Sequence, residues 1–532
     1  MKSLTRSESL LLLGLFIFLF FSLGTSQLML YSLDEAKNAE CAREMYERQD
    51  WVVPTFNGQL RTDKPPLHYW VMMGSYALFG VSEFSARLGS ILCGMGTILL
   101  IFAFAWRNFN PRVAWISALV LLASLHVGVQ FRMAVPDPYL VFFLTLAWVS
   151  FYGWYQQRQK TLNLAIFYTS LGMGVLAKGP VALVLIFTAI GLFLLFQGTF
   201  RKAFRLGLVP GLVWTLLLAL PWYLRVHEAT SGAWTEGFFL KHNLERFQAP
   251  MEGHGGFFLI TPLYVLIGLL PFSIFIPQAF VRAWKHRKEV PVLALGLSIA
   301  IVVIGFFSFS GTKLFNYTVP SYPFVAVLIA AFLDSVLDQE MAWKKLRPSL
   351  ITYGVLAALL PIAFYLGLRL DPVVSHLAGW AIIFLTFPLG AAAAWCRFRH
   401  GEFSRTMLAL AGSFVVTAVL FFQLAYPIID RENPVNQTIS SINPEEKVIA
   451  YKQFNPAYVF YLNRSVDVVN TPEALAEVLR AEGSVVVISR TEFLPELSTF
   501  SQLKELTRKR DLFETPTTIL FRKTPSPLPR SL

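Results

Sequence analysis

Long stretches without a charged residue are the feature that most constrains this chain. A helix needs about 20 mostly apolar residues to cross the hydrocarbon core of a bilayer. Only 15% of the 532 residues are charged, against about 25% in soluble domains, which excludes a water-soluble enzyme. The sequence predicts a polytopic α-helical membrane protein with about 13 transmembrane helices. The charge-free runs are residues 9–33, 88–106, 113–131, 138–157, 161–177, 179–200, 206–224, 253–281, 290–312, 314–333, 348–368, 372–396 and 406–429.

The charges between the runs predict the orientation. Positive residues of short loops stay in the cytoplasm, and alternate connections carry 19 Lys or Arg against 4. We therefore expect a cytoplasmic N-terminus and a periplasmic C-terminus. The short outer connections carry four cations, Arg132, Lys178, Lys313 and Arg369. Because the net charge of +12 has this topological use, we expect no nucleic-acid partner.

The chain divides into two predicted domains. Residues 1–429 form the transmembrane domain, with outer loops at 34–87 and 225–256 and a surface helix within 65–82 that carries Trp70. Residues 430–532 lose the apolar runs. Four short β-branched stretches and a helix from Pro472, capped by Thr471, predict a small extracytoplasmic α/β domain with a disordered tail. The strands are expected at Lys447–Tyr451, Val466–Val469, Ser484–Ser489 and Thr517–Phe521.

Charged residues near the membrane core are costly and tend to be functional, and here they collect on the outer side. Asp34 and Glu35 follow the first span, on a stretch with helical propensity that also presents Lys37. They suit either catalysis or the positive end of a helix dipole. Asp137 lies between Pro136 and Pro138, and helix capping is its alternative role.

Cations on the same side suit a phosphate ligand. Asp63 and Lys64 precede a rigid Pro-Pro pair, and Lys64 suits either a lipid phosphate or ordinary snorkelling toward headgroups. Lys178 is a lone charge in its run and needs a carboxylate or phosphate partner. The second outer loop and the stretch after the ninth run add further candidates, namely His242, Asn243, Arg246, His254, Lys313 and Tyr317.

Several nucleotide-linked and hydrolytic chemistries lack their motifs. The chain has no Walker A loop, no GxGxxG in a βαβ setting, no GxSxG elbow and no HExxH. Energy for a reaction outside the membrane would therefore arrive within the substrate, as in a sugar linked to a lipid phosphate.

Several stretches together resemble one known family. The chain is similar to the lipid-phosphate-dependent membrane glycosyltransferases of the C-type fold, in particular the 4-amino-4-deoxy-L-arabinose lipid A transferases and the related protein mannosyltransferases. The resemblance runs from the first span to about residue 333 and is specific only in combination. Its motifs are LDEAKNAECAREM, DKPPLHYW, SARLGSIL, VPDPYL, LAKGPVAL, LPWYLRV, FFLKHNLERFQAPMEGHGGFF and SGTKLFNYTVPSYP.

The resemblance implies roles for the candidates. Asp34 and Asp137 would be catalytic, and Lys64 would hold the carrier phosphate. Glu35, Lys37, Lys178, His242, Asn243, Arg246, Lys313 and Tyr317 would contact substrate. Asp63 and His254 would be the ligands of a divalent metal that some relatives use, and no other cofactor is expected. The family favours Arg where this chain has Lys37 and Glu where it has Asp63, which alters geometry while keeping charge.

We therefore expect an inverting transfer of a sugar from a polyprenyl-phosphate donor, on the outer face of the bacterial inner membrane. The expected sugar is aminoarabinose-like, the acceptor is a lipid A phosphate and the enzyme is a monomer. Another glycolipid or a protein could be the acceptor by the same chemistry. The alternative from a different class is a transporter or flippase for lipid-linked sugars. That alternative would need polar groups across the membrane midplane, whereas this sequence loads its unusual residues on one side.

Overall fold

The computed structural model describes residues 5–249, 255–337, 344–481 and 483–524. The part of the chain before residue 440 is almost entirely helical, and each charge-free run coincides with helix over most of its length. The α-helices are Arg6–Ser22, Leu33–Glu47, Leu67–Phe79, Glu83–Asn108, Pro111–Leu122, Leu125–Gln130, Asp137–Tyr155, Lys160–Lys178, Val181–Phe196, Leu208–Ala229, Ala233–Glu236, Arg246–Gln248, Ile260–Gly268, Ile276–His286, Pro291–Phe309, Tyr322–Leu337, Arg347–Leu370, Thr386–Arg399, Phe403–Leu420, Tyr426–Asp430 and Pro434–Thr438. Tighter or wider turns extend them at Phe200–Arg205, Gly237–Glu245, Phe272–Phe275, Phe315–Ser321, Lys344–Leu346, Ser375–Leu385, Phe421–Ala425 and Ile439–Ser441.

Helix length and hydropathy identify the membrane spans. Among the described residues, 7 helices are long and apolar enough to cross a bilayer, and a bent pair at Ile260–Gly268 and Phe272–His286 would make 8. The protein is therefore a polytopic helical membrane protein, while the number 13 stays a prediction. The other runs form shorter or less apolar helices. For example, the helix in the first run ends at Ser22. Ten residues then separate it from the next helix, which begins at Leu33 and carries Asp34.

A close backbone approach explains that early end. Gly24 has φ +77°, and a Cβ there would lie 2.5 Å from the Phe422 carbonyl oxygen. Only glycine takes this conformation at this spacing without strain. The chain after Ser22 therefore leaves the helix and runs to the Asp34 helix as an irregular segment.

Two neighbouring helices position the residues of the candidate site. Glu83–Asn108 packs against Asp137–Tyr155. Small residues let membrane helices approach closely, and a Cβ on Gly94 would lie 2.5 Å from Cγ of Phe131. Glu83–Asn108 therefore lies close to the segment that leads to Asp137.

The first outer loop is ordered by its own elements. Ser32 caps Leu33–Glu47 by accepting from the Glu35 amide at 3.4 Å, which agrees with the predicted helix. Strands β1 (Thr55–Phe56) and β2 (Gln59–Leu60) pair antiparallel around the Asn57-Gly58 turn. The surface helix expected within 65–82 is present as Leu67–Phe79.

The C-terminal region forms one five-stranded sheet. Its strands are β3 (Lys447–Tyr451), β4 (Asp467–Val469), β5 (Val485–Arg490), β6 (Leu503–Arg510) and β7 (Thr517–Lys523), in the order β4-β3-β5-β7-β6. β3 runs parallel to β4 and β5, and β7 pairs antiparallel with β5 and β6. Helices Ala457–Leu462, Pro472–Arg480 and Leu494–Leu497 connect the strands, with the short turn Thr491–Phe493. The four predicted strands and the Thr471-capped helix are found, whereas β6 was not predicted because its sequence, LKELTRKR, is mostly charged. The predicted disordered tail falls on residues 525–532, outside the described residues.

The C-terminal unit packs on the first outer loop. Arg43 of the Asp34 helix donates to the Phe460 carbonyl at 2.9 Å and to Oδ1 of Asn463 at 2.6 Å. Asn57 in the β1–β2 turn exchanges two hydrogen bonds of 2.7 Å with the Val466 backbone. The α/β unit therefore lies on the same side of the helical domain as Asp34.

Candidate active site

A chamber of about 370 Å³ collects most of the predicted residues. The walls come from the start of Asp137–Tyr155, the end of Lys160–Lys178, the Gly237–Glu245 turns and the segment after Pro291–Phe309. Its polar lining faces an apolar wall of Phe and Val side chains, which suits a ligand with a charged head and a hydrocarbon tail. The polar side chains in its lining are Asp34, Asp63, Lys64, Asp137, Lys178, His242, Asn243, Arg246, Ser310, Asn316 and Tyr317.

Asp137 is held in place by two donors. Lys178 Nζ donates to Asp137 Oδ1 at 2.5 Å, and Asn316 Nδ2 donates to the same oxygen at 3.0 Å. The Lys178 ammonium also lies 5.1 Å from the ring centroid of Tyr317. Asp137 begins its helix, but its carboxylate does not cap it, since Pro136 is the N-cap and no side-chain capping bond is present. The predicted carboxylate partner of Lys178 is therefore Asp137.

Asp34 projects into the chamber from the first turn of Leu33–Glu47 and is solvent-exposed there. The Lys64 ammonium is the largest influence on the pKa of Asp34 and lowers it; burial acts in the opposite direction, and Arg61 and Arg246 lower it further. Asp34 is therefore an ionised carboxylate at neutral pH, surrounded by cations but left open to a ligand.

Asp63 and Lys64 both line the chamber. Arg61, which does not line it, forms an ion pair with Asp63. Arg61 Nε and Nη2 donate to the two Asp63 carboxylate oxygens at 2.5 and 2.9 Å. Burial acts to raise the pKa of Asp63, but the Arg61 guanidinium holds it well below its usual range. Lys64 forms no ion pair with a described residue, so its ammonium is available to an anionic ligand.

The second outer loop supplies three polar residues through a stretch of π-helix. His242, Asn243 and Arg246 all line the chamber, and the Gly237–Glu245 turns are wider than those of an α-helix. Asn243 Nδ2 donates to the Phe238 carbonyl at 2.7 Å. Burial lowers the pKa of His242, so its imidazole is neutral at pH 7. The charged side chain that this loop contributes to the chamber lining is therefore Arg246.

A close chain contact seats this loop on the segment after the ninth run. The Gly311 amide donates to the Phe247 carbonyl at 2.7 Å, and the Thr312 amide donates to the Arg246 carbonyl at 3.3 Å. A Cβ on Gly311 would lie 2.7 Å from the Ala249 backbone, so the contact requires glycine. Arg246 and Tyr317 therefore face the same chamber from two distant parts of the sequence.

A second cavity of about 530 Å³ meets the first at the carboxylates. Asp34, Asp137, Leu314 and Asn316 line both cavities. The rest of the second cavity is mostly apolar and is closed by phenylalanines of the later helices, including Phe384. The two carboxylates thus stand at the junction of two separate spaces.

Glu35 was predicted to contact substrate, and the structure places it elsewhere. Its oxygens accept from Arg87 Nε and Nη2 at 2.8 and 3.2 Å and from the Ala134 amide at 2.8 Å. Arg87 Nη1 also donates to the Thr25 and Leu28 carbonyls at 2.7 and 2.6 Å. Glu35 is therefore a buried clamp that sets Asp34 against the segment leading to Asp137.

Two more predicted contacts are not in the chamber lining. Lys37 is half-buried on the Asp34 helix, one turn further from the chamber. Lys313 is buried and donates from Nζ to the Ser310 carbonyl at 2.6 Å. Of the four cations in the short outer connections, Lys178 lines the chamber. The Arg132 guanidinium lies instead 4.6 and 4.3 Å from the ring centroids of Phe20 and Phe422.

The predicted metal site does not fit the residues that the structure describes. Both oxygens of Asp63 face the Arg61 guanidinium, whose positive charge would repel a divalent cation. His254 lies outside the described residues, and within the described ranges no group of three His, Cys, Asp or Glu side chains could hold a metal ion. We derive no step through a metal.

Sequence reasoning missed the supporting contacts. The sequence gives Asn316 and Arg87 no role beyond their places in the motifs SGTKLFNYTVPSYP and SARLGSIL. A buried arginine is rarely unpaired, so Arg87, directly before the apolar run 88–106, indicates a carboxylate partner. Nothing in the spacing indicates that this partner is Glu35 rather than Asp34.

Comparisons with known proteins agree with this arrangement. The family described as dolichyl-phosphate-mannose-protein mannosyltransferase matches residues 63–224. An undecaprenyl phosphate-α-4-amino-4-deoxy-L-arabinose arabinosyl transferase of Yersinia pestis (strain Pestoides F) is 31% identical over 382 residues, which are 70% of this chain and 68% of that protein. An uncharacterized protein of Aquifex aeolicus (strain VF5) is 32% identical over 326 residues, 61% of this chain and 73% of that protein.

Solved structures share the fold. ArnT from Cupriavidus metallidurans, bound to undecaprenyl phosphate, superposes with a TM-score of 0.82 at 22% identity and covers 96% of this chain and 97% of its own. The archaeal oligosaccharyltransferase AglB from Archaeoglobus fulgidus gives a TM-score of 0.55 at 14% identity, over 92% and 70%. The chamber between long outer loops, on this fold, defines a multi-pass membrane glycosyltransferase of the C-type, related to the protein mannosyltransferases.

The sequence identity to the Yersinia relative identifies the family within this class of glycosyltransferases. The chain belongs to the family of undecaprenyl phosphate-α-4-amino-4-deoxy-L-arabinose arabinosyl transferases.

Proposed function

We propose that the protein transfers an aminoarabinose-like sugar from a polyprenyl-phosphate donor to a lipid A phosphate on the outer face of the bacterial inner membrane. The observation that carries this proposal is the junction of two cavities at Asp34 and Asp137, next to Lys64 and Lys178. Two cavities that share a pair of carboxylates suit two amphipathic substrates that meet at one reacting carbon. The activity that names the Yersinia relative and the undecaprenyl phosphate bound in the Cupriavidus structure support the choice of donor.

The donor phosphate belongs in the chamber with the cations. Lys64, Lys178 and Arg246 line it together, and ammonium and guanidinium groups bind phosphate oxygens through charge-assisted hydrogen bonds. When the bond between the sugar C1 and the carrier phosphate oxygen breaks, that oxygen keeps the electron pair. The same cations then stabilise the developing negative charge in a site that excludes most water.

The acceptor oxygen attacks C1 from the side opposite to the leaving phosphate, so one displacement inverts the anomeric centre. A lipid A phosphate is already anionic, so no proton must be removed and positioning dominates. If the acceptor were a hydroxyl, the ionised Asp34 would receive its proton. Asp137, fixed by Lys178 and Asn316, keeps the ammonium group in place beside the reacting carbon. Retention of configuration would exclude a single displacement.

Lipid analysis of a deletion strain tests the choice of acceptor. Mass spectrometry of extracted lipids should show lipid A that has lost one pentosamine, restored by the wild-type gene. Loss of the sugar from another glycolipid or from a protein, with lipid A unchanged, would replace the acceptor in this proposal while leaving the transfer chemistry intact.

A transporter of lipid-linked sugars is the rival function. The chamber residues with charge lie at one end of the helices, near the starts of Asp137–Tyr155 and Val181–Phe196. A transporter would need such groups along the whole crossing. Movement of labelled donor across a vesicle bilayer, without labelled lipid product, would favour the rival.

A further inference from the structure

A small basic cavity lies at the other end of the helices that carry the site. Its volume is about 190 Å³, and its lining includes Arg6, Arg107 and Arg158 together with Asn108 and Asn163. Three arginines around one small cavity repel each other unless an anion balances them.

Helix lengths place this cavity far from the chamber. Glu83–Asn108 begins near the Glu35–Arg87 clamp and ends at Arg107, and Asp137–Tyr155 begins at the chamber and ends just before Arg158. At about 1.5 Å per residue, the 26 residues of Glu83–Asn108 cover about 39 Å and the 19 residues of Asp137–Tyr155 cover about 28.5 Å, close to the roughly 30 Å of a hydrocarbon core. The basic cavity therefore lies at the opposite membrane face, which the positive-inside rule assigns to the cytoplasm.

No acidic side chain of the described residues lines this cavity. Arg158 Nη1 donates to Asn108 Oδ1 at 3.0 Å, and Arg6 Nη2 donates to the Ala103 carbonyl at 3.4 Å, so their recorded partners are neutral. Other arginines at this face have carboxylates, as Arg397 has Glu402 at 3.0 Å. The three cavity arginines thus keep most of their donors for a ligand.

The backbone around Arg158 is fixed before any ligand binds. Its amide donates to the Gly153 carbonyl at 3.0 Å, and its carbonyl accepts from Asn163 Nδ2 at 2.6 Å. The remaining wall contains apolar side chains such as Leu100 and Val149. A rigid basic pocket with an apolar side fits a phosphate ester whose substituent is hydrocarbon.

We propose that this cavity binds a phosphate-ester anion at the face opposite to the active site. The planar guanidinium fork matches phosphate oxygens in pairs. The ligand chemistry is the same for the headgroup of an anionic phospholipid and for a free phosphate, and the experiment below separates the two sources.

Lipid titration of the purified full-length protein in detergent tests the proposal, at constant ionic strength because salt screens exposed charges. Native mass spectrometry would measure binding of phosphatidylglycerol and of phosphatidylcholine. The variant Arg107→Gln/Arg158→Gln is compared with Lys160→Gln/Arg201→Gln, two exposed cations of the same face outside this cavity.

A guanidinium group that donates directly to a phosphate in the cavity should contribute at least about five-fold in affinity, whereas an exposed cation outside the cavity makes no such contact. The cavity variant should therefore bind phosphatidylglycerol about 25-fold more weakly, and the control variant should bind it like the wild type. If the double variant does not fold, Arg107→Gln alone should weaken binding about five-fold, since Arg107 is exposed and makes no hydrogen bond with the described residues.

Inorganic phosphate identifies the source of the anion. Competition by millimolar phosphate would assign a free phosphate, whereas phosphatidylglycerol binding without such competition would assign a lipid headgroup. Equal affinity for the two phospholipids together with no phosphate binding would overturn the proposal. An equal loss of affinity in the control variant would overturn it too, because general surface charge would then explain the binding.

Discussion

At the scale of single residues, Asp137 and Lys178 form an ion pair in the lining of the chamber. The carboxylate holds the ammonium at 2.5 Å, beside the chamber that we assign to the donor phosphate. Each group is therefore expected to act through the other, rather than to contribute independently.

A double-mutant cycle tests this pair. Asp137→Asn and Lys178→Gln should each lower kcat/KM by about 100-fold, and the double variant should be little worse than either one, because the first change already misplaces the partner. Lys241→Gln, exposed on the second outer loop, is the control and should retain activity. Losses that multiply in the double variant would show that the two residues act separately.

Lys64 controls the ionisation of Asp34 in this account. Lys64 lowers the pKa of Asp34 more than any other group, so the carboxylate stays ionised as pH falls from 7 towards the usual range of an aspartate. In Lys64→Gln the pKa should rise, and the carboxylate should become protonated at a higher pH. The acidic limb of the normalised pH–rate profile should therefore move to higher pH, whatever the loss in absolute rate. If the acidic limb does not move, protonation of Asp34 is not the cause of the fall in rate at low pH.

At the scale of elements, the Asp34 helix is placed by contacts that have no catalytic role. Glu35 and Arg87 lock its first turn to the segment before Asp137, and Arg43 locks its third turn to the C-terminal unit. This explains why Asp34 can stay exposed to the chamber without losing its position.

Removing Arg87 should therefore destabilise the protein. Arg87→Gln leaves Glu35 buried without its counterion, which costs about 3–5 kcal/mol. The midpoint of thermal unfolding in detergent should fall clearly. Arg48→Gln breaks an exposed ion pair with Glu44 and should cost less than about 1 kcal/mol. Equal shifts in the two variants would contradict the clamp.

The helices and most C-terminal strands could be predicted from the sequence because their signals are local. Short β-branched stretches predicted β3, β4, β5 and β7. The charge-free runs predicted helices, of which 7 or 8 among the described residues are long and apolar enough to cross a bilayer. The misplaced residues depended on contacts between distant segments. Glu35 points toward Arg87, whereas its neighbour Asp34 lines the chamber. Lys313 turns back to Ser310, whereas Tyr317 lines the chamber. No local pattern distinguishes these directions.

At the scale of the whole molecule, the charge distribution divides the protein into two faces. The chamber, the first outer loop and the C-terminal sheet lie together, and the basic cavity lies at the far ends of Glu83–Asn108 and Asp137–Tyr155. From the positive-inside rule we predict that the chamber faces the periplasm.

Cysteine labelling in intact cells tests that orientation. In a Cys396→Ser background, Glu492→Cys of the C-terminal unit should react with a membrane-impermeant maleimide added outside, once the outer membrane is permeabilised. Lys160→Cys should react only after the inner membrane is opened. Both positions are exposed, so access rather than burial decides the result. The reverse pattern would place the active site in the cytoplasm.

The central claim is that Asp34 stands at the point of sugar transfer. The most direct measurement is mass spectrometry of lipid A after incubation of purified protein with a polyprenyl-phosphate aminopentose. Wild-type protein and Glu47→Gln, a change on the exposed side of the same helix, should add one sugar. Asp34→Asn should lower the rate by at least about 100-fold with an unchanged unfolding temperature, since no hydrogen bond of the Asp34 side chain is lost among the described residues. Full transfer by folded Asp34→Asn protein would contradict the account.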